Sequence, residues 1–195
     1  DAQSVTTCWN ALMHARRPRL QVCAPVSSVQ MEYLFHKKPD AMLEAIGATV
    51  AACRARCADV EFVAADATRA NSEFLKSVLE AAVEAGATTV TVCDTAGTML
   101  PGEFAEFIRQ LRTDVKALEG VTLGVACVDT LSMADACVIA AVDAAEEIKA
   151  SAYPLNNAGL VNVAKVIAAK GSAMDAYCDL RVIQLSRLVE QIAWM

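Results

Sequence analysis

The sequence is poor in several features that would mark large classes of protein. Aromatic residues make up 5% of its 195 residues, and 17 basic against 23 acidic residues give a net charge of −6. Nucleic acids and anionic membranes bind clustered Lys and Arg, so this balance argues against both as partners. No apolar run reaches the roughly 18 residues that cross a bilayer, and the polar N-terminus lacks the order of a signal peptide. We therefore expect no membrane partner and a cytoplasmic location.

Signatures of zinc sites and disulfides are scarce as well. The sequence has two histidines, His14 and His36, and neither lies at ligand spacing from a pair of thiols. Its eight cysteines include no C-x-x-C pair, and Cys23, Cys93 and Cys127 lie inside apolar runs. We therefore expect buried, reduced thiols and neither a disulfide framework nor a zinc centre.

What the sequence does have is apolar residues, 55% of the chain, in two alternating patterns. Continuous apolar or β-branched runs are typical of parallel strands covered on both faces. Such runs occupy residues 19–24, 60–64, 88–93, 121–128 and 147–151. They predict five strands.

Residues between these runs have helical spacing. Asp40 is predicted to cap one helix, Gly86 to end a second and Pro101 to open a third. Further helices are predicted at 132–145, 159–169 and 180–194.

The alternation predicts an α/β fold of one domain, residues 1–195, with about five βα units and parallel strands joined by right-handed crossovers. A closed barrel of eight units typically needs about 250 residues. The pattern therefore leaves two alternatives, a small open sheet or an incomplete (β/α)₈ TIM-barrel that lacks about three units.

Five stretches in order carry a more specific signal. They are RRPRLQVCAPVSSVQMEY (16–33), VEFVAADATR (60–69), AAVEAGATTVTVCDTAGTMLPGEF (81–104), LGVACVDTLSMADA (123–136) and the Ala158-Gly159 pair. Together they resemble barrel strands four to eight of the pyruvate-carboxyltransferase (DRE-TIM metallolyase) family, which includes 2-isopropylmalate synthase and homocitrate synthase. The D-T-x-G turn in the third stretch is the strongest match. The resemblance implies a partial TIM-barrel in which strands one to three have no counterpart.

The resemblance also implies a chemistry against which the residues can be checked. The family reaction is a Claisen-type condensation, in which a divalent metal holds a 2-oxo acid while a base deprotonates acetyl-CoA. The two metal-binding histidines of the family correspond here to Ala126 and Val128, and a further asparagine ligand corresponds to Leu160. None of these three side chains has a lone pair for a metal. The family's metal motif is therefore expected to be lost.

Some polar residues remain where the family binds its substrate. Thr95 resembles the residue that contacts the 2-oxo acid carboxylate, and Asp94 and Arg69 are retained with it. Asp66, Asp94 and Asp129 all follow predicted strands, where barrel enzymes place catalytic groups, and three converging carboxylates could hold Mg²⁺. Asp residues at such turns also commonly accept backbone N–H groups, and Arg69 could form a structural pair with Asp66.

Two functions follow from these observations. The first is a degenerate, non-catalytic homologue without a cofactor, which acts as a structural or partner-binding subunit and whose open barrel is covered by a homo-oligomer or a heteromeric partner. The second is a metal-dependent acyltransferase that uses Mg, Mn or Zn to condense acetyl-CoA with a 2-oxo acid and is completed by another chain or an upstream segment. The concerted loss of metal ligands favours the first.

Overall fold

The computed structural model describes residues 2–153 and 156–193, which form five strands and eight α-helices. The strands are β1 (Leu20–Pro25), β2 (Val60–Ala65), β3 (Thr89–Asp94), β4 (Thr122–Cys127) and β5 (Glu147–Ile148). The helices are α1 (Ala2–Leu12), α2 (Ser28–Phe35), α3 (Pro39–Arg54), α4 (Ser72–Glu84), α5 (Pro101–Asp114), α6 (Ala134–Ala140), α7 (Leu160–Met174) and α8 (Val182–Ala193). Short 3₁₀ turns lie at Ala67–Arg69 and Lys116–Gly120.

The five strands form one sheet in chain order, and every neighbouring pair is parallel. This confirms the predicted α/β fold with parallel strands. Arg19, just before β1, reaches across the concave side of the sheet to Glu147 of β5, with 2.8 Å between Arg19 Nη1 and Glu147 Oε2. This contact between the two ends of the sheet shows that the sheet is strongly curved. The two edge strands are thus joined by an ion pair through the interior of the arc.

The main core lies on the convex side of the sheet, where the helices pack. Alternate strand residues there are apolar and almost completely buried: Leu20, Val22, Ala24, Val60, Phe62, Ala64, Val90, Val92, Leu123 and Val125. The helices cover them with the apolar stripes that the helical spacing predicted, for example Ile46 of α3 and Leu79 of α4. Alternation in the strands and helical spacing between them therefore account for this core.

Two predicted helix starts were wrong. Asp40 does not cap α3, because the helix begins one residue earlier at Pro39, which suits a first helical position, and Lys38 is the N-cap. The helix predicted at 132–145 is confined to Ala134–Ala140, since Ser132 has a φ of 56° and lies in the left-handed region. After the helix, hydrogen bonds between residues three positions apart form turns as far as residue 144.

Three further differences concern the last strand, the last helix and two thiols. β5 ends at Ile148, because the chain then leaves β4 and Ser151 pairs with Gly159. α8 begins at Val182, and the predicted end at residue 194 lies outside the described residues. Cys23 is exposed, where burial was expected, since it faces the open concave side, and Cys8 of α1 is exposed as well. No helix in the described ranges is long and apolar enough to cross a bilayer.

Candidate functional site

The concave face of the sheet differs sharply from the convex face, because its residues are polar or small. The position of Gly124 on β4 illustrates this: a Cβ there would lie 2.6 Å from Thr91 Oγ1 and 3.6 Å from the Cβ of Glu147. Side chains of β3 and β5 therefore meet over a glycine in the middle of the arc. The absence of a side chain at Gly124 leaves room for the polar groups around it.

Glu61 of β2 lies at the centre of this face and is only 1% exposed. Its Oε1 accepts a hydrogen bond from Thr91 Oγ1 at 2.6 Å, and its Oε2 accepts from Gln21 Nε2 at 3.0 Å and Lys149 Nζ at 2.8 Å. Burying a carboxylate is costly unless hydrogen bonds and a cation compensate it. Residues from three other segments, β1, β3 and the chain after β5, supply that compensation for Glu61.

Three further ion pairs extend these contacts to both edges of the sheet. Lys149 Nζ lies 2.9 Å from Glu147 Oε1, and Arg19 joins Glu147 to Asp59, whose Oδ2 is 3.0 Å from Arg19 Nε. Burial opposes the charged form of Lys149, but its hydrogen bonds to two carboxylates prevail and raise its pKa. Burial likewise opposes ionisation of Glu147, but the two cations prevail and lower its pKa. Lys149 and Glu147 are therefore both ionised at neutral pH. Together with Glu61, Arg19 and Asp59 they form the interior charge cluster.

A cavity of about 410 Å³ lies beside the interior charge cluster on the concave side of the sheet, and Lys149 belongs to both. Its lining residues come from the first four strands and from the segment after β5: Gln21, Val63, Thr91, Ala126, Cys127, Lys149, Ala150, Ser151 and Asn157. Lys149 and Gln21 contribute polar groups to this lining, and Val63 and Ala126 contribute apolar ones. Its size falls within the range of small-molecule sites, about 300–1,000 Å³.

Three of the residues selected from the sequence, Asp66, Arg69 and Thr95, come together at the carboxyl end of β2. The Asp66 carboxylate lies 2.8 Å from Arg69 Nε, accepts a hydrogen bond from the Ser27 hydroxyl, and is fully buried. The backbone N–H of Asp66 donates to Thr95 Oγ1 at 2.8 Å. The hydrogen bonds to Asp66 raise the pKa of Arg69. Asp66 and Arg69 are thus a structural pair, as one of the two interpretations expected.

Asp94 and Asp129 also hold turns. Asp94 accepts hydrogen bonds from Thr68 Oγ1 at 2.8 Å and from the Met99 N–H at 3.2 Å, and Asp129 accepts from the Ala134 N–H at the start of α6 at 2.9 Å. In residues 2–153 and 156–193, no three or more His, Cys, Asp or Glu side chains lie close enough to hold a metal. The structure therefore does not bring Asp66, Asp94 and Asp129 together as the Mg²⁺ centre that three converging carboxylates would form.

The three residues that the sequence resemblance places at metal-ligand positions, Ala126, Val128 and Leu160, lie in different parts of the structure. Ala126 lines the cavity, and Val128 follows directly after β4, where its N–H donates to the Asp94 carbonyl at 3.0 Å. Leu160 begins α7 and lines an outer groove near the free edge of β5. A cavity-facing methyl group thus stands at one of the two histidine positions.

The D-T-x-G turn has a clear geometric reason for its glycine. Gly97 has a φ of 63°, and a Cβ there would lie 2.3 Å from the Val128 carbonyl oxygen. Only glycine fits this close approach in the left-handed region. The turn therefore packs against the end of β4, which keeps the loop after β3 next to the metal-ligand positions.

The interior charge cluster is the part of the site that sequence reasoning missed. A signal was present, because Glu61 and Lys149 are charged residues inside or beside predicted buried strands, at positions that alternate with apolar ones. Charged residues are rarely buried unless they are paired, so a partner of opposite charge is expected for both Glu61 and Lys149.

The structure and its site define a class: a parallel βα arc of the TIM-barrel type, with a cavity on the concave side and a charge cluster below it. Comparison with protein families is consistent with this class. The profile of the HMGL-like family matches residues 2–188, and the chain belongs to that family.

Two curated relatives show how much of a longer protein the chain represents. It is 30% identical over 201 residues to 2-isopropylmalate synthase of Clostridium kluyveri, which covers 99% of this chain and 39% of the relative. It is 34% identical over 197 residues to 2-isopropylmalate synthase of Rhodopirellula baltica, which covers 97% of this chain and 37% of the relative. The chain thus spans about two fifths of the length of these relatives.

Solved structures share the fold at lower identity. HMG-CoA lyase of Brucella melitensis superposes with a TM-score of 0.80 and 15% identity over 99% of this chain and 71% of the lyase. The carboxyl transferase domain of Rhizobium etli pyruvate carboxylase superposes with a TM-score of 0.59 and 21% identity over 75% of this chain and 25% of that domain's chain. The HMG-CoA lyases are TIM barrels, so the arc of five strands is a partial TIM-barrel, as the sequence predicted.

Proposed function

We propose that this chain is a non-catalytic member of the HMGL-like family that acts as a structural or partner-binding subunit. The observation that carries the proposal is the replacement of the family's metal ligands by Ala126, Val128 and Leu160. Because Ala126 lines the cavity, the replacement lies where a bound substrate would be activated. A metal that holds a 2-oxo acid needs imidazole or oxygen ligands there, and these side chains offer none.

The interior charge cluster supports the same proposal. Lys149, which lines the cavity, already engages the carboxylates of Glu61 and Glu147, since its ammonium lies within 2.9 Å of both. A fixed ammonium repels a divalent cation, and it occupies the oxygens that such a cation would use. Catalysis through a metal in this cavity would have to break buried ion pairs first.

Uncovered surface supports a partner-binding role. Within the described residues, β1 and β5 each pair with one neighbouring strand, so each has a free edge. Tyr33 and Leu34 of α2 are 71% and 67% exposed, and Ile183 of α8 is 72% exposed. Free strand edges and exposed apolar side chains are typical of surfaces that another chain, or another part of the same protein, covers. On this ground we propose a homo-oligomer or a heteromeric partner. The eight free thiols favour the reducing cytoplasm as the location of the protein.

A second function is favoured by the residues that are retained. Asp94, Thr95 and the following Gly97 turn keep the family pattern, and the curated relatives are named 2-isopropylmalate synthase. The alternative is therefore a Mg-, Mn- or Zn-dependent acyltransferase that condenses acetyl-CoA with a 2-oxo acid and is completed by another chain or an upstream segment. Its metal ligands would have to come from that additional part.

Isothermal titration with Mg²⁺, Mn²⁺ and Zn²⁺, followed by a thiol-release assay with acetyl-CoA and several 2-oxo acids, tests the proposal. We expect neither metal binding nor thiol release. The matched variant Ala126→His/Val128→His places two imidazoles two residues apart, on one face of an extended strand, and should gain Zn²⁺ binding. Metal-dependent thiol release by the unmodified chain would overturn the proposal in favour of the acyltransferase.

A further inference from the structure

We infer that Cys127 and Cys137 are a site of reversible oxidation, at which a small hydroperoxide forms a disulfide that loosens the loop after β3. The inference goes beyond the proposed function, because this oxidation requires neither a metal nor turnover of acetyl-CoA. It rests on the contact between the two sulfur atoms, on the hydrogen bond that joins one of them to the loop, and on the other contacts that hold the loop.

The two thiols meet in the core between the sheet and a helix. Cys127 is the last residue of β4 and Cys137 lies in α6, and the two residues are 2% and 3% exposed. The Cys127 thiol donates a hydrogen bond to the Cys137 sulfur. A disulfide joins sulfur atoms about 2.05 Å apart. Because the two thiols are already in contact, a small shift of α6 toward β4 brings them to this distance.

Cys137 also connects the two thiols to the loop after β3, residues 95–100. Its Sγ donates to the Met99 carbonyl oxygen at 3.3 Å, and the Met99 N–H donates to Asp94 Oδ2 at 3.2 Å. Met99 is thus held at its carbonyl by α6 and at its N–H by the end of β3. A disulfide has no S–H group, so oxidation removes the first of these two hydrogen bonds. The loop then keeps its contact with Asp94 but loses its hydrogen bond to α6.

The oxidation balances with a hydroperoxide as the electron acceptor. The Cys137 thiolate attacks one oxygen of H₂O₂, which gives a sulfenic acid and releases the other oxygen as water once it takes up the thiol proton. The Cys127 sulfur then attacks the Cys137 sulfur, which forms the S–S bond and releases the sulfenic oxygen as a second water. The two thiols together lose two protons and two electrons, and H₂O₂ takes them up. A dithiol reductant reverses the reaction by thiol–disulfide exchange.

Burial keeps the two thiols reduced in the resting protein and determines which of them reacts first. It raises the pKa of both thiols, so both are protonated at neutral pH. The hydrogen bond from Cys127 opposes this rise at Cys137, because it stabilises a thiolate there. Cys137 is therefore the sulfur that attacks the peroxide. Local opening of a packed core admits small molecules most easily, so H₂O₂ is the hydroperoxide of choice.

Peptide mapping of the full chain tests the inference. The chain is treated with H₂O₂ in buffer or in urea, the remaining thiols are blocked, and cleavage before Asp129 and Asp135 places the two cysteines on separate peptides. In buffer we expect one dominant intramolecular disulfide, which joins these two peptides and is reversed by dithiothreitol. In urea the fold no longer determines the pairing, so the eight cysteines should give a mixture. Absence of the Cys127–Cys137 disulfide in buffer, or the same mixture under both conditions, would overturn the inference.

A variant with a matched control tests the pairing of the two sulfur atoms. Cys137→Ala should lower the rate at which H₂O₂ consumes the Cys127 thiol at least about tenfold, because the reaction within the pair is lost. Cys57 is equally buried, but its Sγ lies 3.2 Å from the Pro18 and Asp59 carbonyl oxygens, so Cys57→Ala should leave that rate unchanged. An unchanged rate in Cys137→Ala, with its fold intact by circular dichroism, would contradict the pairing.

Amide hydrogen exchange tests the effect on the loop. In the oxidised chain the amides of residues 95–100 should exchange about twofold or more faster than in the reduced chain, because one hydrogen bond to the loop is lost. Amides of β2 should exchange equally in both forms. Equal exchange of the loop in both forms would overturn its coupling to the disulfide. Metal-dependent turnover of acetyl-CoA by the unmodified chain would refute the proposed function but would leave each of these results as expected.

Discussion

Replacement of Lys149 by methionine is the sharpest test of the interior charge cluster. Methionine keeps most of the aliphatic length of lysine and removes the ammonium, so Glu61 loses its cation while it stays 1% exposed. Removing one partner of a fully buried ion pair costs about 3–5 kcal/mol, because the remaining charge is uncompensated. Two features reduce this cost here. The Lys149 side chain is 34% exposed, so water screens part of the interaction, and Gln21 and Thr91 still donate hydrogen bonds to Glu61.

We therefore expect Lys149→Met to lower the free energy of unfolding by about 2 kcal/mol. For a domain of this size that corresponds to a decrease of about 4–8 °C in Tm. Urea unfolding followed by circular dichroism measures the change, with the slope m checked for constancy. Lys149→Arg keeps the charge and should recover part of the loss, and Lys165→Met should leave stability unchanged. A Lys149→Met variant as stable as the unmodified chain would refute the compensation of Glu61 by Lys149.

Three further predictions concern the turn, the core and the thiols. Gly97→Ala should lower the free energy of unfolding by more than about 2 kcal/mol in urea unfolding, because its Cβ would approach a main-chain oxygen within 2.3 Å, and full stability would contradict this packing. Phe62→Ala in the convex core should cost about 3–5 kcal/mol, and Tyr33→Ala on the exposed face of α2 should change stability by less than about 0.5 kcal/mol; equal effects would count against the assignment of the core. Iodoacetamide at neutral pH, read by mass spectrometry, should label Cys8 in the folded chain and Cys127 only after unfolding, because burial raises the pKa of Cys127 and keeps its thiol protonated. Rapid labelling of Cys127 in the folded chain would contradict its burial.

The fold could be predicted from the sequence to the extent that local patterns determine it. Parallel strands covered by helices require continuous apolar runs, and those runs gave the number of strands and their direction. The length of β5 could not be predicted, because Ser151, at the end of the predicted strand, pairs with Gly159 and not with β4. The start of α6 depends likewise on the left-handed backbone of Ser132, which the apolar pattern does not reveal.

The candidate site divides in the same way. The pairing of Asp66 with Arg69 was expected because the two residues are three positions apart, at a turn. The pairing of Glu61 with Lys149 links residues that are 88 positions apart, and it exists only because the sheet curves enough to bring β2 and β5 together across the concave side. Curvature is a property of the whole sheet, so no local pattern predicts which interior charges meet.

The central claim is that this member of the HMGL-like family does not catalyse metal-dependent acyl transfer. The most direct measurement is thiol release from acetyl-CoA by the purified chain with Mn²⁺ and a panel of 2-oxo acids, with and without a chelator. We expect a rate equal to the protein-free background in every case. Thiol release that rises in proportion to protein concentration, requires a 2-oxo acid and is abolished by the chelator would contradict it.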